Sequence, residues 1–222
     1  MIFSQQLTGL SEYALLKGGR FMLSTDEKYP FPNNHILVIN GATREDGNTD
    51  AIVNLFAEGA QAAGFHAECI QLRDFTIADC VGCCTCLRES RCHFDDDMTE
   101  LRKKIIDSGI LVLASPLYFC EVTGLMKTFI DRLYFFYHDV NKKLIAGKKV
   151  IIMTTLGEKE AGFETEIIEE SYRRLLKALD MKLASMHFFP DLMEKESIHQ
   201  KPAFLEQAYN IGKSTLSVLM KQ

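Results

Sequence analysis

With 222 residues, 47% of them hydrophobic, the chain is long enough for one substantial core and too short for two comfortable domains. A net charge of -5 offers no broad basic surface for phosphates and argues against a nucleic-acid binder. No run approaches the roughly 20 apolar residues of a membrane span, and the opening residues lack the pattern of a signal peptide, so neither is expected.

Residues 1–34 precede the first strand signal and contain Gly18, Gly19, Pro30 and Pro32, which predicts a short helix and a lead-in arm. The folded domain is expected over 35–222. HILVIN at 35–40 reads as a strand ending in Gly41, and an amphipathic stretch from Thr49 to about Ala63 reads as a helix. HAECIQL at 66–72 is the second strand, and 97–106 a helix. GILVLAS at 109–115 is the most apolar run and closes at Pro116, which predicts a strand buried on both faces.

Over 121–138, Val122, Leu125, Met126, Phe129, Ile130, Leu133 and Phe136 recur at helical spacing. KKVIIMTTLG at 148–157 is a fourth strand, and 162–179 a helix with Phe163, Ile167, Ile168 and Leu175 inward. KLASMHFF at 182–189 is a fifth strand and 202–220 a last helix. Strands alternating with helices predict an α/β fold, a doubly wound five-stranded parallel sheet with helices on both faces.

In such sheets ligands sit beyond the carboxyl ends of the strands, where the winding reverses. The loop after the first strand, GATREDGNTD (41–50), combines permissive glycines with Thr43, Asn48 and Thr49 at a helix start, where unpaired N–H donors face outward. Arg44 adds a charge-assisted donor. The loop lacks the G-K-[ST] ending of a nucleotide-triphosphate loop and the G-x-G-x-x-G spacing of a dinucleotide fold, so a phosphate monoester such as FMN suits it best. A plain turn and helix cap is the alternative reading of Gly47, Asn48 and Thr49.

SPLYF (Ser115, Pro116, Leu117, Tyr118, Phe119) follows the central strand with a hydroxyl, a rigid turn and two rings, the ingredients of a pocket for a planar heterocycle. TTLG at 154–157 ends the fourth strand with hydroxyls and a glycine. Aromatics after a buried strand also serve simple core packing.

Of seven cysteines, Cys80, Cys83, Cys84, Cys86 and Cys92 crowd into 80–92. An odd total in one tight run does not suit a secreted disulfide framework, so reduced thiols or metal ligation in the cytoplasm are expected. Cys80, Cys83, Cys86 and Cys92 have the spacing C-x2-C-x2-C-x5-C, whose first three thiolates can wrap a cuboidal cluster. A [4Fe–4S] cluster, zinc and metal-free thiols all remain open, since zinc prefers two separated knuckles and Cys84 is an extra thiol. His93 reads as a surface residue and Asp95, Asp96 and Asp97 as the start of the next helix. The aromatic run from Tyr134 to Tyr137 reads as core or subunit interface, and no Ser/His/Asp grouping supports hydrolysis.

GATREDGNT, CVGCCTCLRESRCHFDDDM and ASPLYFCEVTGLMKTFIDRL, in this order, resemble the NAD(P)H-dependent FMN reductases and the related iron–sulfur flavoproteins, from about residue 35 to 157. The resemblance implies a flavodoxin-like fold and an oxidoreductase in which NAD(P)H, or a ferredoxin, reduces bound FMN. Electrons then pass to a quinone, a flavin or another small acceptor, or through a [4Fe–4S] cluster. The family's first loop usually reads Gly-Ser-Pro-Arg; here Ala42 and Thr43 replace the middle pair, and Thr43 stands in for the missing hydroxyl. By the same resemblance Ser115 to Phe119 and Thr155, Leu156 and Gly157 contact the flavin ring. A homodimer or homotetramer is implied, with no nucleic-acid or membrane partner. Two rival readings are a non-catalytic flavodoxin-like carrier and a cysteine-based redox sensor. Carriers rely on a strongly acidic docking face, and -5 over this length is mild.

Overall fold

The computed structural model describes residues 34–215. Apart from Asn34, the expected N-terminal arm lies outside the described residues. The elements run β1 (His35–Asn40), α1 (Asn48–Ala62), β2 (His66–Gln71), α2 (Thr85–Glu89), α3 (Met98–Asp107), β3 (Ile110–Tyr118), β4 (Glu121–Val122) and α4 (Gly124–Arg132). They continue with α5 (Asp139–Lys142), β5 (Lys149–Thr155), α6 (Phe163–Ala178), β6 (Lys182–Phe189) and α7 (Pro202–Lys213).

Five strands pair in parallel in the order β2-β1-β3-β5-β6, while the two-residue β4 pairs antiparallel with β3. This is the doubly wound, flavodoxin-like order, with the winding reversing between β1 and β3. In register, Val38 sits between Cys69 and Val112. Because side chains alternate along a strand, β1, β3 and β5 bury both faces. Leu37, Ile39, Leu111, Leu113, Val150 and Ile152 pack beneath α3, α4 and α6. Ile36, Val38, Val112, Ile151 and Met153 pack beneath α1 and α7. Phe56, Phe129 and Phe136 are fully buried, each contributing about 1.5–3 kcal/mol of burial.

Helices α1 and α7 approach so closely that glycine is required at both contact points. A Cβ on Gly59 would stand 2.0 Å from the Tyr209 carbonyl oxygen, and one on Gly212 would stand 2.0 Å from that of Phe56.

The structure departs from the sequence expectation in three places. Strand β3 does not stop at Pro116 but runs on to Tyr118. Pairing with β1 has already ended at Ala114, so the missing proline N–H breaks no ladder on that side. The expected helix over 121–138 is divided: residues 121–122 form β4, Thr123 caps α4 by accepting from the Met126 N–H at 3.2 Å, and Leu133–Tyr137 is a 3-10 turn. On α6 the inward stripe is Ile168, Tyr172 and Leu176, whereas Phe163 (75% exposed) and Ile167 face outward. The last helix is described to Lys213 and positions beyond 215 lie outside the described residues.

Candidate functional site

The β1–α1 loop is shaped by a buried polar network. Asn40 donates to Asp50 Oδ1 at 2.6 Å and accepts from the Ala42 N–H at 2.9 Å. Asp50 also accepts from the Asp46 N–H at 2.9 Å and from both terminal nitrogens of Arg73, at 3.1 and 3.0 Å. Arg73 in turn donates to the Ala42 carbonyl at 3.3 Å. The loop is thereby wrapped around one carboxylate, which also sits in the first turn of α1 and suits the positive helix end.

Helix α1 has no side-chain cap at Gly47, and its ladder begins with Ala51 N–H donating to the Gly47 carbonyl at 3.1 Å. The N–H groups of Asn48, Thr49 and Asp50 therefore precede the ladder and are available to an anion. Gly47 is the N-cap, as the alternative reading has it, while neither Asn48 nor Thr49 caps the helix through its side chain. Asn48 instead stitches the 192–198 segment to α1, donating to the Leu192 and Glu194 carbonyls at 3.0 and 2.8 Å and accepting from the Ile198 N–H at 3.0 Å. What it offers a ligand is its backbone N–H. The Thr49 hydroxyl lies 2.8 Å from that of Thr155, joining α1 to the end of β5.

A cleft of about 290 Å³ opens at the carboxyl ends of β1, β3 and β5. It is lined by Arg44, Asn48, Thr49, Pro116, Leu117, Tyr118, Phe119, Thr155, Leu156 and Gly157 from the three predicted loops. Two predicted residues sit elsewhere. Thr43 lies at the rim, its hydroxyl 3.5 Å from the Tyr118 hydroxyl, beside an adjacent groove. Ser115 is buried; it donates to the Pro116 carbonyl at 2.9 Å and accepts from the Thr123 N–H at 3.3 Å, so it braces the β3–β4 turn rather than facing the cleft.

That turn is tight. Phe119 and Cys120 both have positive φ, 53° and 68°, between the paired residues Tyr118 and Glu121. Left-handed backbone in non-glycine residues costs about 1–3 kcal/mol each and clusters at ligand clamps. Here it holds the Phe119 ring fully in solvent at the cleft mouth. Sequence reasoning missed the opposite wall, Leu192 and Met193, where Arg44 donates to the Met193 carbonyl at 3.1 Å. No motif marks these two residues.

The cysteine segment is pinned at its base. Arg132, its side chain 1% exposed, forms a two-nitrogen pair with Asp96 at 2.6 and 3.0 Å and donates to the Ala78 carbonyl at 2.5 Å. Asp96 also accepts from the Ala78 and Met98 N–H groups, at 3.0 and 3.2 Å, so it both starts α3 and closes the loop. Burial would raise this carboxyl, but Arg132 and the two amides hold it below the usual carboxylate range. One step further down, Asp97 accepts from the Thr76 N–H at 2.6 Å. His93 is exposed, as expected.

Among the described residues no three Cys, His, Asp or Glu side chains are gathered into a ready-made metal site. Cys80, Cys83, Cys86 and Cys92 nevertheless share the segment 80–92, with Cys80 and Cys83 exposed and Cys86 and Cys92 half-buried. Burial and then the charges of Cys92, Cys80 and Cys83 push the Cys86 thiol up. Hydrogen bonds from Thr85 hold the exposed Cys83 below the usual thiol range. Gly82 and Cys84, with φ of 63° and 56°, turn the backbone between the first three thiols. Cysteines of this number and spacing are the donor type of an iron–sulfur cluster, though among the described residues they are not gathered into a preformed site.

A doubly wound sheet with a helix-start anion cradle and a ring-sized cleft at its switch point defines a flavodoxin-like nucleotide-binding protein. The chain matches the NADPH-dependent FMN reductase family over residues 34–190 and belongs to that family. An iron–sulfur flavoprotein of Archaeoglobus fulgidus is 32% identical over 133 residues, covering 59% of this chain and 60% of that protein. A second iron–sulfur flavoprotein, from Methanocaldococcus jannaschii, is 33% identical over 97 residues, covering 44% of this chain and 50% of the relative. The chain thus spans about half to three fifths of the length of these curated relatives. Among solved structures, an NAD(P)H:quinone oxidoreductase from Methanothermobacter marburgensis superposes with a TM-score of 0.65 at 17% identity, covering 83% of this chain and 98% of that one. At that identity it shows the shared fold.

Proposed function

We propose that the chain is an FMN-dependent oxidoreductase that takes electrons from NAD(P)H and delivers them to a small acceptor, with an iron–sulfur cluster on Cys80, Cys83, Cys86 and Cys92. The observation that carries the reading is the convergence of three loops on one cleft at the switch point, with the free N–H groups of α1 at one end and aromatic rings at the other. Bound FMN would supply hydride acceptance and onward single-electron transfer. The chain's residues bind and orient it. The Asn48, Thr49 and Asp50 amides and the Arg44 guanidinium would hold the phosphate, whose charge suits a helix start. Tyr118 and Phe119 would flank the ring, and the Leu156–Gly157 backbone would border its edge.

The test is anaerobic purification followed by an absorption spectrum, iron and acid-labile sulfide analysis, and NAD(P)H turnover. Flavin with about four irons per chain and turnover supports the whole reading. Flavin and turnover without iron would leave a simple FMN reductase with free thiols. Flavin that NAD(P)H does not reduce favours the non-catalytic carrier, and no binding of added FMN overturns the central claim.

A further inference from the structure

Beside the flavin cleft lies a second concavity of about 500 Å³, lined by Thr43, Arg44, Glu45, Arg73, Asp74 and Lys195. Arg44 lines both, and the Thr43 hydroxyl, 3.5 Å from that of Tyr118, stands at the rim between them. Not all of the groove's charge is spent. Asp50 takes Arg73, accepting from both of its terminal nitrogens. Arg44 donates only to the neutral Met193 carbonyl, which draws it toward the segment that carries Lys195 two residues on. Lys195 is exposed, and neither it nor Arg44 pairs with a carboxylate among the described residues. Asp74, next to Arg73 in the 3-10 turn after β2, and Glu45 bring carboxylates to the same groove. A bare phosphate dianion would meet those carboxylates as well as the cations. A ligand with a phosphate at one point and hydroxyl or amine donors beside it satisfies both signs, and that ligand is a nucleoside phosphate.

We propose that this groove seats the 2′-phosphoadenosine end of NADPH while the nicotinamide enters the flavin cleft, and that the chain therefore prefers NADPH to NADH. Arg44 and Lys195 hold the 2′-phosphate, and Glu45 and Asp74 accept from the ribose hydroxyl and the base amine. The proposal rests on the flavin-reduction reading above and names its electron donor. The two dinucleotides differ only in the 2′-phosphate, so a guanidinium and an ammonium at that point discriminate through charge-assisted hydrogen bonds that NADH cannot make. Arg44 is shared: its guanidinium presents a fork of N–H donors, and the one on Met193 leaves others for the flavin phosphate. Lys195 lines this groove and not the flavin cleft, and its exposed side chain braces nothing buried, so it is the cleaner probe.

The experiment compares flavin-loaded wild type, Lys195→Ala and Lys195→Arg, with flavin content measured on each. Steady-state kinetics are followed with NADPH and with NADH, and calorimetry measures binding of adenosine 2′,5′-bisphosphate, adenosine 5′-monophosphate and inorganic phosphate. In the wild type NADPH is expected to show the higher kcat/KM, and the bisphosphate to bind more tightly than the other two probes. Lys195→Ala is expected to raise KM for NADPH and to weaken the bisphosphate about tenfold, while kcat, NADH turnover and monophosphate binding stay unchanged. Lys195→Arg, which keeps the charge, should retain most of the wild-type values. A wild type that binds bisphosphate and monophosphate equally would overturn the seat, as would a Lys195→Ala protein that loses both dinucleotides alike. Inorganic phosphate bound as tightly as the bisphosphate rejects the nucleoside. A flavin-loaded protein that neither dinucleotide reduces would instead overturn the underlying reading, and calorimetry alone would then decide the seat.

Discussion

Asp50 accepts hydrogen bonds from Asn40, the Asp46 amide and both terminal nitrogens of Arg73 at a position 5% exposed. Asp50→Ala would leave Arg73 beside an empty site and release the loop that presents the α1 amides. Breaking such a pair costs about 3 kcal/mol, to be read by urea denaturation, and FMN affinity is expected to fall at least tenfold by fluorescence titration. A titration experiment belongs to Lys148, which is fully buried, donates to the Ser108 carbonyl, and has its pKa pulled by burial from 10.5 to about 8. Between those two values the unfolded chain binds more protons than the folded one, so folding stability should rise with pH over pH 8 to 10.5. Lys148→Met should remove that rise, measured as the difference between the two proteins' unfolding free energies across the window. Neither partnership is legible in the chain, since no motif or period marks Asp50 or Lys148.

Among the elements, the α1–α7 pair and the β3–β4 turn make opposite demands on backbone. Gly212→Ala puts a methyl 2.0 Å from the Phe56 carbonyl oxygen and must push the helices apart. A loss of about 1–3 kcal/mol is expected, seen as a lower denaturant midpoint with the slope retained. At the turn, glycine should do the reverse. Cys120→Gly relieves a φ of 68° and is expected to stabilise the protein by about 1 kcal/mol, whereas Phe119→Gly should gain similar stability yet weaken FMN binding. Equal FMN affinity in the Phe119 variant would remove the ring from the site. Apolar spacing placed the core helices well but located the start of α4 wrongly, because Val122 satisfies the helical pattern while its backbone pairs with Leu117. On α6, helical spacing places Phe163 inward, although it is exposed and the buried apolar stripe is Ile168, Tyr172 and Leu176.

For the whole molecule, the two cores on either side of the sheet contain none of the cysteines at 80–92, and the loop that carries them is closed at its base by Arg132, Asp96 and Asp97. Folding should therefore not depend on metal. Under the proposed cluster reading, replacing Cys80, Cys83, Cys86 and Cys92 together by serine is expected to abolish iron binding while changing unfolding free energy by only about 1 kcal/mol, since two of the four are exposed and none belongs to a core. A large loss of stability would mean that the cluster holds the fold. The sequence by itself determined the alternation of strands and helices, the burial of β3 on both faces, and the three loops at the switch point. These follow from local periodicity, and in a parallel sheet periodicity and connection length leave few ways to fold. Only the tertiary structure decided which side chains meet: Arg73 with Asp50 across 23 positions, Arg44 with the Met193 carbonyl across 149, Arg132 with Cys92 across 40. Other hydrogen bonds turn Ser115 away from the cleft and give Asn48 to the 192–198 segment. Polar partners of this kind carry no period and no motif. They are chosen by the need to satisfy every buried donor and acceptor once the chain has closed on itself.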